Sequence, residues 1–142
     1  MRIIAINRDD GGCSVMRILD DGADIDMLIK KYEVATVITA VSWAQITEAD
    51  IPADRTFRNA WTTQAGKILH DIPKCKSIAH DGRRIARAKE LAPLDIEATI
   101  PGKTAQAEAA RQVIRDKYAA IQISIDSATD VSTLKNIIGA LA

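Results

Sequence analysis

The sequence predicts an α+β fold: an N-terminal antiparallel β-hairpin module with one short helix, then a C-terminal α-helical hairpin and a short terminal helix. Three observations carry this. Alternating and β-branched apolar residues dominate residues 1–72. Apolar spacings of three and four, with abundant alanine, dominate residues 73–142. The two patterns follow one another instead of alternating, which argues against a parallel sheet with crossover helices. The protein therefore divides into a β-rich docking module, 1–72, and a helical hairpin module, 73–142.

"RIIAINRDDGGCSVMRIL" reads as a hairpin. Ile4 and Ile6 share one strand face, Val15, Met16 and Ile18 continue after the turn, and Asp10-Gly11-Gly12 supply the turn. "ADIDMLIKKYE" has helical spacing, with Ile25, Leu28, Ile29 and Tyr32 on one side and Asp24 as cap. "EVATVITAVSWAQI" reads as a buried strand, with Val37, Thr39, Val41 and Trp43 on one face and Ile38, Ala40 and Ser42 on the other. "TFRNAWTTQAGKILHDI" reads as a second hairpin with Gln64-Ala65-Gly66-Lys67 at its tip. In it, Phe57, Asn59 and Trp61 alternate with Arg58 and Ala60.

Pro73 suits the first turn of a helix and Asp71 its cap. Cys75, Ile78, Gly82, Ile85, Lys89 and Ala92 then mark a helical seam. Pro93 is expected to bend or interrupt that helix near Ala92, with "LDIEAT" continuing it. Pro101-Gly102 makes a turn. A second helix is expected from Thr104 to Ile121, with Ala107, Ala110, Ile114 and Ile121 inward, and it pairs with the first as an antiparallel hairpin. "TDVSTLKNIIGAL" is the terminal helix, capped by Thr129 or Asp130.

Composition narrows the function. Lys+Arg and Asp+Glu are 19 each. That balance argues against a protein that coats nucleic acid by bulk charge, and shows no attraction to a membrane surface. No apolar run approaches the ~20 residues of a bilayer span. The opening "MRIIAINRDD" reaches acid too soon for a secretory signal. A cytoplasmic site of synthesis or assembly follows, with Cys13 and Cys75 as reduced, partly buried thiols.

The motifs that hint at chemistry are weak. Gly102-Lys103-Thr104 resembles the end of a phosphate loop, but position 97 is Glu and the preceding segment looks helical, so a polar helix start explains it. His70, Cys75 and His80 give three side chains where zinc takes about four, and Cys75 and His80 fall on different sides of a helix. They read as a strand-end polar residue, a packed thiol and a solvated helix residue. Asp20, Asp21, Asp24 and Asp26 lack the order of a calcium loop; a turn and a helix cap account for them. No catalytic residue, metal ligand or cofactor site is expected.

Two surfaces remain as candidate partner-binding sites. The helix at 73–92 carries Lys74, Lys76, Arg83, Arg84, Arg87 and Lys89 against Asp81 and Glu90. Arg83 and Arg87, one turn apart, are placed to grip one carboxylate. That carboxylate belongs either to an acidic protein partner or to Asp95, Glu97 or Glu108 of the same molecule. A solvated basic face is the plainer reading, and nucleic acid the least favoured. The second surface is Arg55, Phe57, Arg58 and Trp61. The sequence has one Phe and two Trp, and two of these three rings fall within five residues here. The rings are either the core of the hairpin or, with the arginines, the anchors of a contact.

Two segments also resemble small proteins encoded beside tail-fibre genes in bacteriophages and prophages. The matching residues are Asp54, Arg55, Thr56, Phe57, Arg58, Ala60 and Trp61, then Arg83, Arg84, Arg87, Leu94, Asp95, Ile96 and Glu97. The tail "IRDKYAAIQISIDSATDVSTLKNI" is similar to the ending of the same group and to the helical hairpin of phage tail-assembly chaperones. The resemblance spans roughly residues 35 to 138. It implies a non-enzymatic viral protein that binds tail or tail-fibre components. Such a protein is a virion adaptor or an assembly chaperone, in the virion tail or in the host cytoplasm during assembly, and is compatible with a homo-oligomer. The alternative function is a phage regulatory protein that binds nucleic acid through the basic helix 73–92.

Overall fold

The computed structural model describes residues 1–141. The fold is α+β, strands first and helices after, as expected. It divides into two compact units, with the boundary between Asp71 and Ile72.

Unit 1 is built on β1 (Arg2–Arg8), β2 (Cys13–Ile18) and β3 (Ala40–Ile46), in the antiparallel order β2-β1-β3. β1 is central, and its run Ile3-Ile4-Ala5-Ile6 is buried throughout because both its faces are covered. On one face Ile4, Ile6 and Ile18 cluster with Ile29 of helix α1 (Ile25–Thr36), with Leu28 and Tyr32 packed beside them. On the other, Ile3, Ala5, Cys13 and Ile46 cluster with Trp61 and Ile68. The last two come from a two-stranded ribbon, β4 (Trp61–Gln64) and β5 (Lys67–His70). Ala65 and Gly66 at its tip both have positive φ, 50° and 76°. That pair gives the twist a two-residue hairpin needs. Asp24 caps α1, its carboxylate accepting from the backbone N–H groups of Asp26 and Met27.

Three expectations fail in this unit. The strand expected over residues 33–46 starts only at Ala40. The α1 helix runs on to Thr36 and closes on Val37, in the left-handed region at φ 57° with its N–H on the Glu33 carbonyl. Val37 is 93% exposed. β3 is an edge strand and is not buried; Val41 and Trp43 remain exposed. Residues 56–60 are not strand either. Asp54 accepts from the Thr56 N–H (2.9 Å) and the Thr56 hydroxyl (2.7 Å). A turn from Arg55 to Arg58 and a 3-10 turn at Arg58–Ala60 follow. A side-chain carboxylate that captures backbone N–H groups competes with a strand ladder, and here it prevails.

Unit 2 is three helices: α2 (Ile72–Glu97), α3 (Thr104–Ser127) and α4 (Val131–Gly139). α2 packs on both α3 and α4. Asp130, not Thr129, caps α4 by accepting from the Thr133 N–H. The buried ridge of α2 is Cys75-Ala79-Arg83, four apart. The expected seam through Ile85, Lys89 and Ala92 faces outward. α3 buries Ala107, Tyr118 and Ile125, and α4 buries Leu134.

Pro93 does not stop α2. The helix passes through it to Glu97, despite the lost N–H and ring clash that cost about 3 kcal/mol in a helix interior. Contacts to α3 hold the helix on both sides of the proline. Glu90 accepts from Lys117 (2.7 Å) and the Tyr118 hydroxyl (2.6 Å). Asp95 accepts from the Arg111 Nε (2.9 Å).

Candidate binding pocket in unit 1

Arginines that look equivalent in sequence are placed very differently. Arg83 is only 8% exposed, and its Nη1 approaches the Tyr118 carbonyl at 3.5 Å. Its Nε and that of Arg87 are buried without a hydrogen-bond partner. The expected joint grip of Arg83 and Arg87 on a carboxylate is therefore not presented, because Arg83 points into the helical packing. Asp95, Glu97 and Glu108, the expected internal partners, pair instead with Arg111, Lys103 and the Arg111–Arg115 couple. Arg84 binds Asp81 at 2.6 Å, and Lys76 donates to the Asp126 carbonyl at 2.7 Å. Arg87 lines a shallow depression of about 220 Å³ with Arg84, Ala88 and Leu91. The basic face expected along 73–92 is thus largely taken up by the fold.

In the stretch around Trp61, the two rings part from the two arginines. Phe57 and Trp61 are 1% and 3% exposed, so both rings are interior. The Trp61 indole N–H donates to His70 Nε2 at 3.2 Å across the first pair of the ribbon. Arg55 and Arg58 stay exposed.

The turn that buries Phe57 brings Arg58 and Asn59 to a cavity of about 430 Å³, lined also by Arg8, Cys13, Ser14, Val15, Tyr32 and Trp61. It lies along the edge strand β2, whose residues alternate between the two sheet faces. Ser14, opposite Ile6, belongs to the α1 face, and Cys13 and Val15 belong to the ribbon face. The cavity therefore wraps the sheet edge, from Tyr32 of α1 to the Arg58 turn.

Its polar groups are pre-set. Arg8 ends β1, and its Nε and Nη2 each donate to Asp10 at 2.9 Å. That hydrogen-bonded pairing raises the Arg8 pKa further above its ordinary value. Gly12 leaves room for the guanidinium, because a Cβ there would collide with it. Arg8 Nη1 reaches the Ser14 hydroxyl at 3.4 Å, and that hydroxyl shares a 2.8 Å hydrogen bond with Tyr32. Burial pushes the Cys13 thiol up to about 11, so it stays protonated and is a poor nucleophile at neutral pH.

The remaining candidate motifs have structural explanations. Helix α2, not a strand, precedes Gly102-Lys103-Thr104, and the Thr104 hydroxyl donates to the Ala98 carbonyl at 3.0 Å. Asp20 accepts from the Gly22 N–H at 2.9 Å, making the expected turn before the Asp24 cap. His80 is not the solvated residue expected: its Nε2 lies 2.9 Å from Asp126 Oδ1 and the side chain is mostly covered. Cys13 and Cys75 are both buried. Among the described residues, no three His, Cys, Asp or Glu side chains converge on a metal position, and no helix is long and apolar enough to cross a membrane.

The cavity escapes sequence reasoning because its donors come from four separate segments. Of its lining residues, the sequence points only to Arg58 and Trp61 as contacts, and there it expects a strand. The Asp54-x-Thr56 spacing, which favours a turn, is the one local sign that leads to the cavity. In comparisons with known proteins, no family model, curated protein or solved structure matches this protein.

Proposed function

We propose that this is a non-enzymatic binding protein of a bacteriophage tail, which holds a tail or tail-fibre protein as a virion adaptor or assembly chaperone. The tail assignment rests on the resemblance of residues 54–61 and 83–97. The mode of action rests on one observation: Arg58 lines a preformed polar cavity and Arg55 is exposed on the same turn, whereas most basic residues of unit 2 are engaged within the helices. Exposed arginine beside well-packed aromatic residues is a composition typical of interface anchors. The contact residues are Arg55 and Arg58, with Phe57 and Trp61 holding their turn in place. Arg87, in its shallow depression, is a lesser candidate.

Mass spectrometry of purified virions of the phage that carries the gene tests this. Stoichiometric peptides identify an adaptor. Absence from virions, with tail or fibre proteins co-purifying from the producing cells, identifies a chaperone. Failure of both removes the proposal. The nucleic-acid reading gains no support, since Arg83 is buried and Arg84 is paired.

A further inference from the structure

The geometry points to the unit 1 cavity as a carboxylate-binding site, which receives an acidic side chain or the C-terminal carboxylate of the partner protein. The proposal rests on the binding-protein reading above and names the chemistry of its contact. The lining contains two guanidinium groups, two hydroxyls and an amide, and no carboxylate. Asp10 neutralises Arg8 through two hydrogen bonds, so the net charge offered is the single positive charge of Arg58. One positive charge suits a monoanion better than a phosphate dianion.

The hydroxyl pair adds directionality. Ser14 accepts from Arg8 and shares one proton bridge with Tyr32. Whichever of the two donates in that bridge, one hydroxyl proton remains for a ligand. Arg58, the Asn59 amide and that hydroxyl supply a charged fork and two neutral donors, a set that matches the two oxygens of a carboxylate. Val15 and Trp61 supply an apolar wall for a short alkyl stem. The cavity also opens along an edge strand, where backbone groups lack sheet partners. That favours a carboxylate carried on a peptide, which can bond the edge as it enters.

The test needs no partner protein. The 15N-labelled protein is titrated with N-acetylglycine, with the α-amide of N-acetylglutamate, with neutral N-acetylglycinamide and with inorganic phosphate. The expected result is saturable shifts of the Asn59 side-chain amide, the Arg58 Nε–H and the Ser14 and Val15 amides with the two carboxylates, in the millimolar range. A stronger response to N-acetylglycine identifies a peptide terminus, and a stronger response to the glutamate probe an internal acid. Arg58→Ala weakens binding about tenfold or more, as loss of a charged hydrogen-bonding partner does. Ser14→Ala and Tyr32→Phe singly leave one free hydroxyl proton and retain binding; together they weaken it severalfold. An equal response to the neutral amide, no saturable shift, no effect of Arg58→Ala, or tighter binding of phosphate than of either carboxylate overturns the proposal. Because the titration uses only small probes, it stands or falls apart from the tail assignment.

Discussion

The arginines of the Arg55–Arg58 turn and those of unit 2 are used in opposite ways. In unit 2, Arg111 and Arg115 bind acids on α2 and α3, and Arg83 is packed inside. In unit 1, Arg55 and Arg58 sit exposed on a turn whose aromatic residues are buried beneath them. The cores differ too. Unit 1 closes aliphatic layers on both faces of a central strand. Unit 2 buries small residues with Ile125, Leu134, one tyrosine and an arginine, and adds polar bridges across its helices. The lesson is that basic density along a sequence does not measure basic surface. What counts is how many of those charges the fold has already paired.

The sharpest way to break this comparison lies within unit 1. Trp61→Ala is expected to cost about 3–5 kcal/mol, as loss of a buried aromatic ring does. Arg55→Ala and Arg58→Ala should each change stability by less than about 0.5 kcal/mol. Urea unfolding of the three variants checks the contrast; a destabilised Arg58→Ala would mean the arginine belongs to the fold.

Unit 2 should respond to pH at both ends. Lys117 and Tyr118 hold the Glu90 carboxyl below its ordinary range, and Arg115 and Arg111 do the same for Glu108. Depressed carboxyls stabilise the native state above their ordinary range of about 4.3, and that support fades as acid protonates them. Burial and the hydrogen bond to Glu90 push Tyr118 up to about 12. A raised phenol stabilises the native state below its ordinary value near 10, and the support is lost as pH rises through about 12. Urea midpoints across pH should therefore fall at both extremes, and Tyr118→Phe should weaken the alkaline limb, to which the buried Cys13 thiol also contributes.

A smaller effect tests the buried arginine. Arg83 has one long hydrogen bond and an unpartnered Nε. Arg83→Met keeps the volume without the desolvated charge and is expected to be neutral or stabilising by about 1 kcal/mol. The smallest expected change is Val37→Gly, which relieves a β-branched residue at positive φ and should raise stability by up to about 1 kcal/mol. Thermal unfolding reads both.

Local chemistry makes much of the fold legible. The Asp10-Gly11-Gly12 turn, the Asp24 cap and the helical pairing in unit 2 are readable because each depends on residues close in sequence. The Thr36–Ala40 boundary is not, because β-branched residues serve both the end of α1 and the start of β3. The α2 ridge is hidden because its spacing of four includes an arginine, which hydrophobic periodicity counts as surface. Pro93 misleads because its tolerance comes from residues on α3. In the candidate site, Arg58 is legible by type. Its companions Arg8, Ser14 and Tyr32 are not, since only the sheet register and α1 packing bring them together.

The most direct test of the proposed tail reading compares two double variants as bait against disrupted virions of the phage which that reading implies. Arg55→Ala with Arg58→Ala should lose most of the tail or fibre protein retained by the wild type, with an unchanged circular dichroism spectrum. Arg84→Ala with Arg87→Ala should retain it. Loss confined to the second variant, or full retention by the first, would contradict the assignment of contact to unit 1.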